Sequence, residues 1–134
     1  MRTSAIGRST RTSLAVLLMA GLACSSERSL TAVPVSVLGL EVTVAKPNLV
    51  VRNTGATLVR FMSIDEALRT LMSIAPCDTT CPGVAPGATL TLPLTTALGY
   101  SASTTALIIA AWQFSPGPGD RVDGSMQSAR VRVD

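Results

Sequence analysis

Thr104-Thr105-Ala106-Leu107-Ile108-Ile109-Ala110-Ala111-Trp112-Gln113-Phe114 is the stretch on which the fold turns. It is a nearly continuous apolar run, with Ala106, Ile108, Ala110, Trp112 and Phe114 on one parity. Such a run predicts the central buried strand of a β domain. Trp112, inside the most apolar part of it, is expected to pack in the core.

Moving outward, Ser115-Pro116-Gly117-Pro118-Gly119-Asp120 reads as a loop by its prolines and glycines. Beyond it, Ala129, Val131 and Val133 alternate with Ser128, Arg130 and Arg132, the pattern of a strand buried on one face. On the N-terminal side, Leu90, Leu92 and Leu94 alternate with Thr89, Thr91 and Pro93. A proline has no N–H for the ladder, so this strand belongs at a sheet edge or ends there.

Val35 and Val37 start an alternation that Leu40, Val42 and Val44 resume on the opposite parity, with Gly39 at the change. That shift predicts one strand carrying a bulge. Leu49 and Val51 lead into Asn53-Thr54-Gly55-Ala56, after which Leu58 and Val59 to Ile64 are again strand-like. Asn and Gly tolerate the positive φ of tight turns, so a hairpin is expected there; it would allow Arg52 and Arg60 to face one another, but scattered solvated positions are the preferred reading for these cations. Over 64–75 two patterns compete. Ser63 and Glu66 fit a capping box, and Ile64, Ala67, Leu68, Leu71 and Ala75 share one helical face. Leu68, Thr70, Met72 and Ile74 fit a strand; a short helix is the preferred reading.

About 110 residues beyond the leader suffice for one domain with one core. The expectation is therefore a mainly β fold, a small β-sandwich of about six to eight strands over residues 32–134. Leu49-Val50-Val51-Arg52-Asn53-Thr54-Gly55-Ala56-Thr57-Leu58-Val59 resembles the V-x-N-T-G-x-x-x-V hairpin of bacterial immunoglobulin-like surface domains. The resemblance covers about a dozen residues and implies an immunoglobulin-like sandwich, with no binding residues. Cys77 and Cys81 are too close in sequence to supply the inter-sheet cysteine framework of antibody domains.

The first 24 residues have the layout of an export signal. Arg2, Arg8 and Arg11 form a basic opening, and Leu14 to Ala23 an apolar segment of about ten residues. A membrane-spanning helix needs about 20 apolar residues, and here Ser25-Ser26-Glu27-Arg28 follow at once. Residues 1–23 are thus expected to be a signal helix that is removed. Gly21-Leu22-Ala23-Cys24 resembles the lipobox of bacterial lipoproteins, with Gly21 where that family most often has Leu. The resemblance implies a lipid-modified Cys24 as the mature N-terminus, followed by a polar tether over 24–31. Gly21 and Ala23 equally satisfy the small-x-small rule for ordinary cleavage after Ala23.

An odd cysteine in an exported chain calls for an explanation. Lipid on Cys24 leaves Cys77 and Cys81 as a pair, for which a disulfide is expected outside the cytoplasm. The C-x-x-x-C ring is small, so its role is to fix a loop.

The formal charge of +3 equals the number of arginines in the leader, Arg2, Arg8 and Arg11. Without them the balance is zero, which argues against nucleic acid as partner, since that needs clustered positive charge. Histidine is absent. That removes Ser-His-Asp and Cys-His catalysis and histidine-ligated metals. No phosphate-cradling glycine motif occurs, and no cofactor or small-molecule ligand is indicated. The remaining chemistry lies in two acid pairs, Asp65-Glu66 and Asp120 with Asp123.

The expected function is accordingly a non-enzymatic, membrane-anchored lipoprotein on the periplasmic or cell-surface face of a bacterial envelope, structural or binding an envelope protein. The alternative is a small periplasmic enzyme, or a ligand- or calcium-binding protein, using Asp65, Glu66, Asp120 or Asp123.

Overall fold

The computed structural model describes residues 32–77, 79–115 and 121–134, with the side chains of 115 and 121–123 excepted. The leader with Cys24, the loop 116–120 with Asp120, and the Asp123 side chain lie outside the described residues.

The described residues form eight strands in two antiparallel four-stranded sheets. The first has the order β1 (Val35–Val37), β2 (Leu40–Ala45), β3 (Asn48–Asn53), β6 (Thr89–Pro93); the second has β5 (Gly83–Val84), β4 (Val59–Asp65), β7 (Ala106–Ser115), β8 (Arg121–Arg132). The sheets face one another as a sandwich. Val37, Leu40, Val42, Val44, Leu49 and Val51 from the first meet Val59, Phe61, Val84, Leu107, Ile109, Ala111 and Val131 from the second in one buried cluster. Each fully buried aliphatic or aromatic side chain contributes roughly 1.5–3 kcal/mol against the entropy of ordering the chain.

The 104–114 run is an interior strand, β7, buried on both faces. Pro93 is the last residue of β6, and β6 is the edge of the first sheet, both as its chemistry requires. Val131 and Val133 of the C-terminal alternation are buried, while Arg130 and Arg132 are exposed.

Two local expectations are corrected, and a third, the short helix near 64–75, is found but narrowed. The parity change at Gly39 is a hairpin turn, not a bulge. Leu38 and Gly39 have φ of 49° and 83°, and β1 pairs with β2 through Val37↔Leu40. Two positive-φ residues make a turn whose twist matches that of the flanking strands.

The Asn53-Thr54-Gly55 stretch is not a hairpin either. β3 pairs with β2 and β6, and β4 pairs with β5 and β7. The chain crosses from one sheet to the other here, so Arg52 and Arg60 lie in different sheets. What holds the corner is the side chain of Asn53, fully buried. Its Nδ2 donates to Thr57 O at 2.7 Å and Val84 O at 2.8 Å, and its Oδ1 accepts from Gly55 N at 2.9 Å.

The helix over 64–75 is confined to one turn, α1 (Glu66–Arg69), capped by Asp65 and not by Ser63. Ser63 and Ile64 are buried in β4, opposite Ile109 and Ile108. Pairing with β7 thus claims the first residues of the expected capping box before a helix can use them.

Candidate functional site

The acids expected to carry any chemistry begin where β4 ends. Asp65 accepts on Oδ1 from the backbone N–H groups of Ala67 (2.9 Å) and Leu68 (3.1 Å), which α1 leaves without intrahelical partners. Its Oδ2 accepts from Thr104 Oγ1 at 2.7 Å. The Thr104 hydroxyl, then the Leu68 N–H, hold the Asp65 carboxyl below the ordinary range.

Glu66 turns toward β8. Its two oxygens take Arg130 Nε at 2.6 Å and Nη2 at 3.0 Å, and the Arg130 guanidinium lowers its pKa. The two sequence-adjacent carboxylates are therefore spent on different partners. They do not converge.

The backbone of Asp123 is remote from that pair. Asp65 stands opposite Leu107 on β7, and the backbone of Asp123 stands opposite Gln113. Six residues of strand separate those positions, roughly 20 Å. Among the described residues no group of three or more Cys, Asp or Glu side chains gathers to hold a metal ion.

A second side-chain arrangement among the described residues is on the outer face of the second sheet. Ala110 and Trp112, both fully buried, pack there with Cys81, and Met62, Ile74, Cys77, Phe114 and Met126 surround them. The parity that begins at Ala106 is thus not the one facing the sandwich core; Leu107, Ile109 and Ala111 face it. Trp112 is core, as expected, but in a second small core that the chain folds over from outside.

The cover is held through backbone carbonyls. Cys77 and Cys81 are bonded, with Cα atoms 5.7 Å apart, within the range disulfides adopt. Trp112 Nε1 donates to Cys77 O at 2.9 Å. Arg60 Nη1 donates to Cys81 O at 2.8 Å. Arg60 and Trp112 are cross-strand partners on β4 and β7, and the Arg60 guanidinium also lies 5.9 Å from the centre of the Phe114 ring, a cation–π distance. Phe61 N donates to Pro82 O at 3.1 Å, continuing the attachment.

The importance of Arg60 and Asn53 was not read from the sequence. Arg60 is a single cation in an apolar strand, and that interruption was the available signal: an inward or covered cation in such a strand needs acceptors. Asn53 carried a turn signal that fitted a corner as well as a hairpin. No family model, curated protein or solved structure matches this chain.

Proposed function

We propose that this chain is a non-enzymatic lipoprotein of a bacterial envelope, anchored through lipid on Cys24, whose β-sandwich is a structural or protein-interaction module. Residues 1–23 are the signal, 24–31 the tether and 32–134 the domain. The observation that carries this reading is how the three cysteines divide. Cys77 and Cys81 are joined to one another, which leaves Cys24, at the end of the apolar Leu14–Ala23 segment, as the residue available for acylation. One acyl chain gives marginal membrane binding and two give lasting anchorage. The use of Asp65 as a helix cap and of Glu66 as an ion-pair partner weighs against the enzymatic alternative.

For an interaction module the natural docking element is β8, the 12-residue edge strand of the second sheet. An edge presents unpaired N–H and C=O groups to which a partner can add a strand. Mass spectrometry of the mature N-terminus tests the anchor: a lipid adduct on Cys24 is expected, together with detergent-phase partitioning that Cys24→Ser abolishes. An unmodified Cys24 thiol, or a mature chain starting elsewhere, overturns it. A pull-down from solubilised envelope tests the module, and failure to return a reproducible partner counts against interaction.

A further inference from the structure

We propose that the Cys77–Cys81 disulfide is a redox latch, whose reduction by a dithiol loosens the Ser73–Cys77 segment from the outer face of the second sheet and uncovers the apolar surface around Trp112. The inference does not depend on Cys24 or on the membrane. It rests on how the cover is attached. Ser73 to Cys77 has no regular secondary structure, so no ladder of backbone bonds secures it. Its described attachments are the packing of Ile74 and Cys77 and the bond from Trp112 Nε1 to Cys77 O. On the far side of the ring, Cys81 O is held by Arg60 and Pro82 O by Phe61 N. The disulfide ties the weakly held side to the firmly held one.

Beneath lies a surface that water would not favour: Met62, Ala110, Trp112, Phe114 and Met126. It is a cluster separate from the sandwich core, so opening it leaves the fold standing. Local opening below the global unfolding free energy is the usual behaviour of such satellite segments. Cys77 is half-buried and Cys81 is buried, which directs an incoming thiolate to the Cys77 sulfur. The step balances as thiol–disulfide exchange. The first thiolate bonds to Cys77 Sγ and expels Cys81 Sγ, which takes a proton; the second thiol of the reductant displaces Cys77 Sγ, also protonated. The dithiol leaves as a disulfide, and the protein gains two thiols.

In the loop-entropy description a ring of about five residues restricts the opened chain by a factor on the order of 30. Trp112 is the single tryptophan, so its indole N–H gives one unambiguous resonance. In the full-length protein, reduction should accelerate exchange of that N–H on the order of 30-fold and raise acrylamide quenching of its fluorescence, while the Val51 and Ile109 amides keep their protection. The Cys77→Ala/Cys81→Ala variant, without reductant, should match the reduced protein, and added reductant should leave it unchanged. Unchanged indole exchange after two additional thiols have titrated overturns the latch. So does acceleration of the Val51 and Ile109 amides by the same factor, which would make the opening global, or a response to reductant in the double variant.

Discussion

Asn53, on β3 of one sheet, donates a 2.8 Å hydrogen bond to the carbonyl of Val84, on β5 of the other. This side chain stitches the sandwich together at the point where the chain changes sheets. Replacing it with Ala strands the Thr57 and Val84 carbonyls and the Gly55 N–H. A buried unsatisfied group costs about 1–3 kcal/mol, so Asn53→Ala should lose about 3 kcal/mol, read as a lower urea midpoint at unchanged m-value. Asn53→Asp should lose at least as much, because it keeps the shape but turns an oxygen toward two carbonyls. A loss below about 1 kcal/mol for Asn53→Ala would mean water replaces the stitch.

Asn53 also marks the limit of what was legible in the sequence. The strand pattern itself was readable wherever burial is local and periodic: β7 as an interior strand, Pro93 ending an edge strand, Val131 and Val133 turned inward. Asn-Thr-Gly identified a reversal but not its partner, since Val84 lies 31 residues away. Likewise the 64–75 helix lost its start to the pairing of Ser63 with Ile109, a contact between distant segments that outweighs local helix propensity. In the site, the acid pair at Asp65 and Glu66 was legible from local sequence. Its engagement by Thr104 and Arg130 was not, because both partners come from distant parts of the chain.

Two glycines of nearly equal φ should respond differently to the same substitution. Gly87 and Gly99 have φ of 75° and 77°. A methyl at Gly87 meets nothing within 4 Å, whereas one at Gly99 would stand 2.6 Å from Leu68 Cδ2 and 3.2 Å from Leu68 Cβ. Gly87→Ala should cost only the left-handed backbone penalty, about 1 kcal/mol. Gly99→Ala should cost that and the displacement of α1, on the order of 2–3 kcal/mol. Equal thermal shifts for the two variants would show that Leu68 swings aside freely.

Acid should destabilise the fold partly through Asp65. Its folded-state pKa is lowered, first by the Thr104 hydroxyl and then by the Leu68 N–H. Between the folded and unfolded values the unfolded chain binds more protons, so stability rises with pH across that interval. The contribution is complete above the unfolded value, near 4, and is lost as pH falls through the folded one. Thr104→Val moves the folded value up toward the ordinary one and should shrink this dependence. The variant should melt below the wild type at pH 7, and the gap should narrow as pH falls through the folded value, leaving only the pH-independent loss of the Ser101 N–H bond to Thr104 Oγ1. Parallel melting curves throughout would rule out a role for the Thr104–Asp65 bond.

Arg60 and Trp112, opposite one another across β4 and β7, hold the carbonyls of two cysteines that are themselves bonded. With the ring closed, either tether keeps both cysteines near the sheet, so the first loss is cushioned and the second is not. Arg60→Met and Trp112→Phe should therefore be non-additive in the oxidised protein. The double variant should lose more than the two single losses together, by about 0.5–1 kcal/mol, the size usual for neighbours sharing partners. Once the disulfide is reduced the cysteines part and each carbonyl depends on its own donor, so the same cycle should become additive. The comparison isolates the ring, because direct contact between the two side chains would leave the coupling intact in both redox states. A coupling that survives reduction would place it in the sheet itself, between cross-strand neighbours, and would remove the covalent ring as its source.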